Sequence, residues 1–294
     1  MGMALTVVTP WLLTMALLAA VGRLERTLEP FTYVVAMTAA STVLSLATWT
    51  TLVALGAVVI VAAPPFALLA VGYALVALAL SRVVVLSAHW RRVLSSRAVS
   101  RHFSDARADD DGVVVIEDPI PDAFAVRTGR GAVVITTGMK AALPPRELAA
   151  VIAHESAHVR YRHSTWIQIA ESARALNPVV RPLTASIRLA AERHADECAA
   201  YLDRPAALRA VARASILPRA AVRMPAIGIS SKGGDAVRRV QALAAPPIEN
   251  QPKSLVVLIG AVAVVAALLW GALADVAQDS VFPEPGHSPT DVFR

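Results

Sequence analysis

Apolar and polar positions divide the chain into four long apolar runs and one mixed stretch between the third and the fourth. The first run, residues 5–21, carries no charge and is just long enough to cross a bilayer core, which takes about 20 residues at 1.5 Å each. No basic residue precedes it, while Arg23 and Arg26 follow, so it reads as an anchor that is kept rather than a cleaved leader. From Phe31 to Ser81 there is no Asp, Glu, Lys, Arg or His, and only Ala62-Ala63-Pro64-Pro65 interrupts the run. That breaker predicts two helices, about 33–61 and 66–86. The first is long enough to need tilting, and Arg82 near the end of the second can snorkel to the interface. A fourth span is expected over 254–274.

Basic residues near span ends stay on the cytoplasmic side. Arg23 and Arg26 mark the first loop, and Arg91, Arg92, Arg97 and Arg101 follow the third span. Both segments are therefore expected in the cytoplasm, with the N-terminus and the tail 275–294 outside. That tail is too short for a folded sensor domain.

The mixed stretch, 90–253, is expected to form one cytoplasmic domain with its own core, following a membrane region over 1–89. It opens in polar linker, with Asp109-Asp110-Asp111-Gly112 as a solvated turn. The β-branched runs Val113 to Ile116 and Gly131 to Gly138 suit short strands, and Ala123 to Val126 suits an edge strand. After Pro144-Pro145 the period becomes helical, with Glu147 in the first turn, where the helix dipole favours an acid. Further helices are expected at Thr165–Leu176, Val179–Leu202 and Pro205–Leu217, then a loop over Met224–Asp235 and a short amphipathic helix over Ala236–Ala244. The fold class is a mainly α membrane protein of four transmembrane helices carrying an α+β domain between helices three and four.

Composition narrows the setting. A hydrophobic content of 56% excludes one ordinary soluble domain. A single cysteine, Cys198, excludes an internal disulfide and a CxxC-type zinc knuckle, and suits a reducing compartment. Only three of the 28 basic residues are lysine, as in GC-rich bacterial genomes, which points to a bacterial inner membrane. Residues 90–253 hold 24 basic and 16 acidic side chains, a surplus of eight. With no recognition helix, zinc finger or stacking platform, no nucleic-acid partner is expected; attraction to the anionic inner leaflet of the lipid bilayer accounts for the surplus.

The chemistry concentrates in Leu148 to His163, LAAVIAHESAHVRYRH. His154 and His158, four apart, lie on one helical face about 6 Å along the axis, so both imidazoles can bind one zinc ion. Glu155 beside the first can take a proton from water. A catalytic zinc needs a third protein ligand. In LAAERHADECAA, Glu192 is that candidate, and Asp196 one turn later would hold the outer nitrogen of a ligating histidine; Glu197 and Asp203 lie nearby. His163 and His194 are expected to face solvent.

These residues resemble the membrane-embedded gluzincin metallopeptidases: H-E-x-x-H at His154 to His158, then E-x-x-x-D at Glu192 to Asp196. PDAFAV, VVITTGM, LPPRELAAVIAHESAH, AERHADECA and VRRVQAL fall where those families place similar segments. The likeness is nearest to the BlaR/MecR-type antirepressor proteases and more distant to the HtpX and CAAX-protease group. The antirepressor proteases read A-C-D-E after the third ligand, whereas here the order is His194-Ala195-Asp196-Glu197-Cys198. The resemblance implies a zincin-type domain with one catalytic zinc on His154, His158 and Glu192, and Glu155 as general base. The edge strand at Ala123, Phe124 and Ala125 would align a protein or peptide substrate. It implies an endopeptidase acting on a cytoplasmic or membrane-proximal protein such as a transcriptional repressor, with any sensing supplied by a separate protein. The rival reading is a signal-transducing receptor or scaffold with a structural or latent zinc site. A transporter is disfavoured, since the spans carry no buried ionisable residue to mark a pathway. Substrate, trigger and oligomeric state are not encoded in these motifs.

Overall fold

The computed structural model describes residues 2–61, 66–104, 112–126, 131–217 and 233–281. The breaker at 62–65, most of the acidic turn at 109–112, most of the loop 224–235 and the tail beyond 281 lie outside the described residues. Nine helices and a three-stranded sheet make up the described part: α1 (Gly2–Thr27), α2 (Pro30–Val61), α3 (Phe66–Ser104), β1 (Val113–Ile116), β2 (Ala123–Val126), β3 (Ala132–Thr136), α4 (Thr137–Ala142), α5 (Pro145–Arg160), α6 (His163–Leu176), α7 (Arg181–Ile216), α8 (Gly233–Ala244) and α9 (Pro252–Val281), with a 3-10 turn at Pro178–Val180.

Four helices are long and apolar enough to cross a bilayer: Val8–Thr27, Pro30–Val61, Phe66–Ser96 and Pro252–Gly271. α3 does not stop at the end of its apolar run. It continues to Ser104 through residues that read as polar linker, because Ala, Leu and Arg keep helical propensity where hydropathy falls away. α2 and α3 approach closely through glycine. A Cβ on Gly56 would lie 2.9 Å from Val76 Cγ2, and one on Gly72 2.9 Å from Ile60 Cγ1, the small-residue contact that lets membrane helices pack.

The apolar packing of the stretch 90–253 is continuous with that of the spans. Small clusters do lie inside it, among them Ala150, Ala199, Ala207 and Leu243. The largest apolar cluster, however, joins Leu24 of α1, Leu28 of the following turn and Val34, Met37 and Leu44 of α2 to Ile167, Leu183 and Ile187 of α6 and α7, and reaches Val265 of α9. The reason is the polarity of the α2 face turned inward. Ser41 and Thr48 satisfy their hydroxyls on their own helix, at Thr38 O (3.0 Å) and Leu44 O (2.9 Å). Tyr33 Oη donates to Ser186 Oγ at 2.8 Å, and Asn177 Nδ2 donates to Thr48 Oγ1 at 3.0 Å. A helix face of small residues, with Ser41 and Thr48 bonded back to their own helix, lets α6 and α7 come close.

β3 is central, parallel to β1 and antiparallel to β2. Thr136 N donates to Asp122 O at 3.0 Å, so by antiparallel alternation Phe124 and Val126 also face β3 with their backbone groups, while those of Ala123 and Ala125 point to the free edge. Among the described residues no strand covers that edge. Ala123 packs with Leu148 and Ile152 of α5; Phe124 lies on the opposite face with Val114 and Val134. Gly138 is required where β3 passes into α4, since a Cβ there would meet Pro119 O at 2.2 Å.

α7 is one element that kinks at Asp203 (φ −155°, ψ 93°), two residues before Pro205. Asp203 Oδ1 accepts from Ala206 N at 2.9 Å and so caps the second half. That half is fastened to the first turn of α5 by Glu147, which receives Arg213 Nε at 2.8 Å and Arg209 Nε at 3.3 Å.

Candidate metal centre

α5 carries His154 and His158 one turn apart, and α7 runs alongside and brings Glu192 to them. His154 Nε2 and His158 Nε2 are 3.1 Å apart; Glu192 Oε1 is 3.5 Å from His158 Nε2, and Glu192 Oε2 is 3.7 Å from His154 Nε2. Tetrahedral zinc with bonds of about 2.0–2.2 Å sets its ligand atoms about 3.3–3.6 Å from one another. Two imidazole nitrogens and a carboxylate at these separations fit that ion.

Around the three donors lies a layer of polar partners. Asp196 Oδ1 is 3.0 Å from His154 Nδ1. The same carboxylate receives Arg239 through two parallel bonds, Nε to Oδ2 at 2.7 Å and Nη2 to Oδ1 at 2.6 Å, and Arg239 Nη1 reaches Glu192 Oε2 at 2.7 Å. Burial pushes the Asp196 carboxyl up, but the hydrogen bonds and charge of Arg239, joined by His154, hold it below the usual carboxylate range. Burial likewise pushes Glu192 up, and there the net direction stays upward despite Arg239. Arg239 escapes a sequence reading. It sits in VRRVQAL, 43 residues beyond Asp196, where only the amphipathic pattern of α8 marks one face as buried.

His163 and His194 do not face solvent. His163 is 0% exposed and His194 7%. Arg162 adopts a left-handed conformation (φ 55°) between α5 and α6, turning the chain so that His163 points back under the H-E-x-x-H helix. Its Nδ1 is 2.8 Å from His158 Nδ1 and its Nε2 is 2.9 Å from His194 Nδ1. The protons follow from geometry. With the His158 Nε2 lone pair turned toward Glu192 and His154, its Nδ1–H donates to His163 Nδ1, and His163 Nε2–H donates to His194 Nδ1. His194 Nε2–H then faces Cys198 Sγ at 3.7 Å. Burial, with the neighbouring histidines, pushes His163 down to about 3 and keeps these rings neutral. Phe31, at the start of α2, closes the group with its ring centroid 4.9 Å from His194 and 5.1 Å from Tyr161.

Glu155 lies next to the donors. Burial pushes its carboxyl up to about 7, against the pull of His154 and Arg239, and the backbone of Ala125 on β2 hydrogen-bonds to it. The sheet edge and the candidate base are therefore adjacent, Ala123 sharing an apolar cluster with Leu148 and Ile152 of α5, the helix that carries Glu155.

Comparison with known proteins agrees with this architecture over a limited stretch. Residues 88–176 match Peptidase family M48, less than a third of the chain but including His154, Glu155 and His158; Glu192 lies beyond it. The chain is 46% identical over 68 residues to the Protease HtpX homolog of Acidiphilium cryptum (strain JF-5), covering 22% of this chain and 23% of that protein. It is 42% identical over 62 residues to the Protease HtpX homolog of Moorella thermoacetica, covering 20% of each. The chain thus spans about a fifth of the length of these relatives. No solved structure matches. The nearer resemblance to the BlaR/MecR-type antirepressor proteases finds no support in these matches, which lie on the side of HtpX. Over this stretch the chain is similar to Peptidase family M48 and to HtpX homologs, and four of its described helices are long and apolar enough to cross a membrane.

Proposed function

We propose that the chain is an integral-membrane zinc-dependent endopeptidase that hydrolyses a cytoplasmic or membrane-proximal protein, with His154, His158 and Glu192 holding the metal. The observation that carries this reading is the set of donor separations, 3.1, 3.5 and 3.7 Å, on two helices distant in sequence. Bound there, zinc would supply a water of pKa near ~7 and polarise the scissile carbonyl.

The remaining work falls to the chain itself. Glu155 takes the water's proton and returns it to the leaving amine, a role typically worth about 10²- to 10⁴-fold. Asp196 fixes the His154 tautomer, with Nδ1 protonated and Nε2 free to bind metal. The outward carbonyls of Ala123 and Ala125 accept from an extended substrate segment added as a strand, while Ala125 N–H stays on Glu155 and brings the peptide bond across that carboxylate. Phe124 supports that edge from the other face of the sheet. The domain from residue 90 to 253 lies on the cytoplasmic side in this reading, because the arginines that follow the third span are retained there.

The test is metal content by mass spectrometry on the detergent-purified full chain, with degradation of an unfolded protein substrate. One zinc per chain is expected, lost in His154→Ala and in Glu192→Ala. Glu155→Gln should keep the zinc and lose proteolysis; proteolysis surviving in that variant would sink the reading.

A further inference from the structure

A second polar centre lies away from the metal donors, between the C-terminal half of α3, α6 and the start of α7. It is a pocket of about 240 Å³ whose wall includes Arg82, His89 and Arg92 from α3, Glu171 and Arg174 from α6, and Arg181. We propose that this pocket binds a phosphate-bearing anion, in the first place the headgroup of an anionic phospholipid.

Charge is the first ground. Glu171 is the one carboxylate in that wall and is already committed: Oε2 accepts Arg174 Nε at 2.6 Å and Oε1 accepts Arg188 Nη2 at 2.7 Å. Burial raises its carboxyl, but Arg188 and Arg174 outweigh this and keep it ionised. Arg82, Arg92 and Arg181 have no carboxylate partner among the described residues. Arg82 Nε rests on Ser81 Oγ at 3.3 Å and Arg92 Nε on the Ala88 carbonyl at 3.2 Å, which leaves their terminal guanidinium nitrogens for a ligand. Several guanidinium groups around a small pocket repel one another unless an anion sits between them, and their planar forks match phosphate oxygens.

An orphaned buried atom is the second ground: the Gln168 backbone carbonyl takes the His89 Nδ1 proton, which leaves Nε2 with a lone pair. His89 Nε2 is buried and has no hydrogen-bond partner, although its ring belongs to the pocket wall. A buried polar atom without a partner costs about 1–3 kcal/mol unless something completes it, and a hydroxyl of a glycerol headgroup would donate to it.

Position and size favour a lipid as the source. Val83, Val84 and Val85 on α3 are 39%, 64% and 39% exposed, inside a helix apolar enough to cross a membrane, and Val85 also lines the pocket. The apolar outer face of α3 therefore runs into the pocket mouth, so acyl chains can lie along the helix while the phosphate reaches the arginines. The volume is below the roughly 300–1,000 Å³ of sites that hold whole drug-sized molecules and suits a headgroup. Anionic lipids are enriched in the leaflet toward which basic span ends are retained.

The experiment is native mass spectrometry of the full chain in detergent, titrated with phosphatidylglycerol, phosphatidylcholine or inorganic phosphate. Wild type should retain one phosphatidylglycerol in preference to phosphatidylcholine. The pair Arg82→Gln with Arg181→Gln should weaken that binding at least about tenfold. Arg26→Gln with Arg91→Gln, which removes the same charge from exposed positions elsewhere, should not. Arg92→Glu alone, at an exposed position, should reproduce the loss if the first pair fails to fold. Should inorganic phosphate bind wild type, fail on the Arg82/Arg181 pair and compete with the lipid, the site stands with free phosphate as its source. Unchanged phosphatidylglycerol binding in the pocket variants would overturn the proposal, as would an equal loss in the Arg26/Arg91 control.

Discussion

Arg239 and Asp196 form a two-pronged ion pair, 2.7 and 2.6 Å, between α8 and α7, and the third guanidinium nitrogen is 2.7 Å from Glu192. One side chain thus holds both carboxylates of the E-x-x-x-D pattern. Two buried acids one turn apart repel each other, and Arg239 is the cation that offsets this beside His154. Removing it leaves buried charge uncompensated. Arg239→Gln is expected to destabilise the fold by roughly 3–5 kcal/mol and to weaken zinc binding about 10- to 100-fold. Arg239→Lys should recover only part, since an ammonium cannot make the parallel pair. Denaturant unfolding and zinc titration of the three proteins check this; a stable, fully zinc-binding Arg239→Gln would refute it.

His163 supports His158 from behind. Because its Nδ1 is the acceptor placed on His158 Nδ1, at 2.8 Å, His163→Ala should release that ring and lower zinc affinity about 10-fold or more. His163→Gln, which can still accept, should recover most of the affinity. Competition with a chromophoric chelator measures all three, and equal affinities would show that the contact is only packing.

The pH profile follows from Glu155. A general base works deprotonated, so activity is present above its pKa and lost as pH falls through it. Burial pushes Glu155 up to about 7; a bound dication stabilises the carboxylate and moves that value down. The acid limb of kcat/KM is therefore expected at or below about pH 7. A limb above pH 8 would be inconsistent with Glu155 in this role.

The free edge of β2 distinguishes two neighbouring substitutions. Phe124→Pro removes a backbone N–H that faces β3 and should unfold the sheet. Ala125→Pro removes an outward N–H, the one on Glu155, and should leave the β2–β3 ladder intact because proline is tolerated on edge strands. Thermal stability near wild type with retained zinc and proteolysis reduced about 10²-fold is expected for Ala125→Pro. Full activity in that variant would remove the strand from substrate alignment.

Much of the architecture was legible because it depends on local rules. An uncharged run of 18 or more residues reads as a span whatever surrounds it, and a strand or helix period survives in any context; the strands at Val113, Ala123 and Ala132 and the helix from Pro145 follow from such patterns. His154, Glu155 and His158 were legible for the same reason, since four-residue spacing places two imidazoles on one helical face without help from the rest of the chain. Contacts between segments have no such signature. The linker residues after Trp90 are helical to Ser104 because helix propensity outlasts hydropathy there. His163 and His194 are buried because a left-handed Arg162 redirects the chain and α2 covers the rings with Phe31. Arg239 reaches Asp196 across 43 residues, a distance no local period spans. What the sequence by itself determined is which elements form and which two histidines share a face. The sequence could name Glu192 as a candidate beside them, but the tertiary structure alone decided which cation pairs with that carboxylate and that the helices bearing the site share one core with the membrane spans, because burial and charge pairing depend on packing between segments.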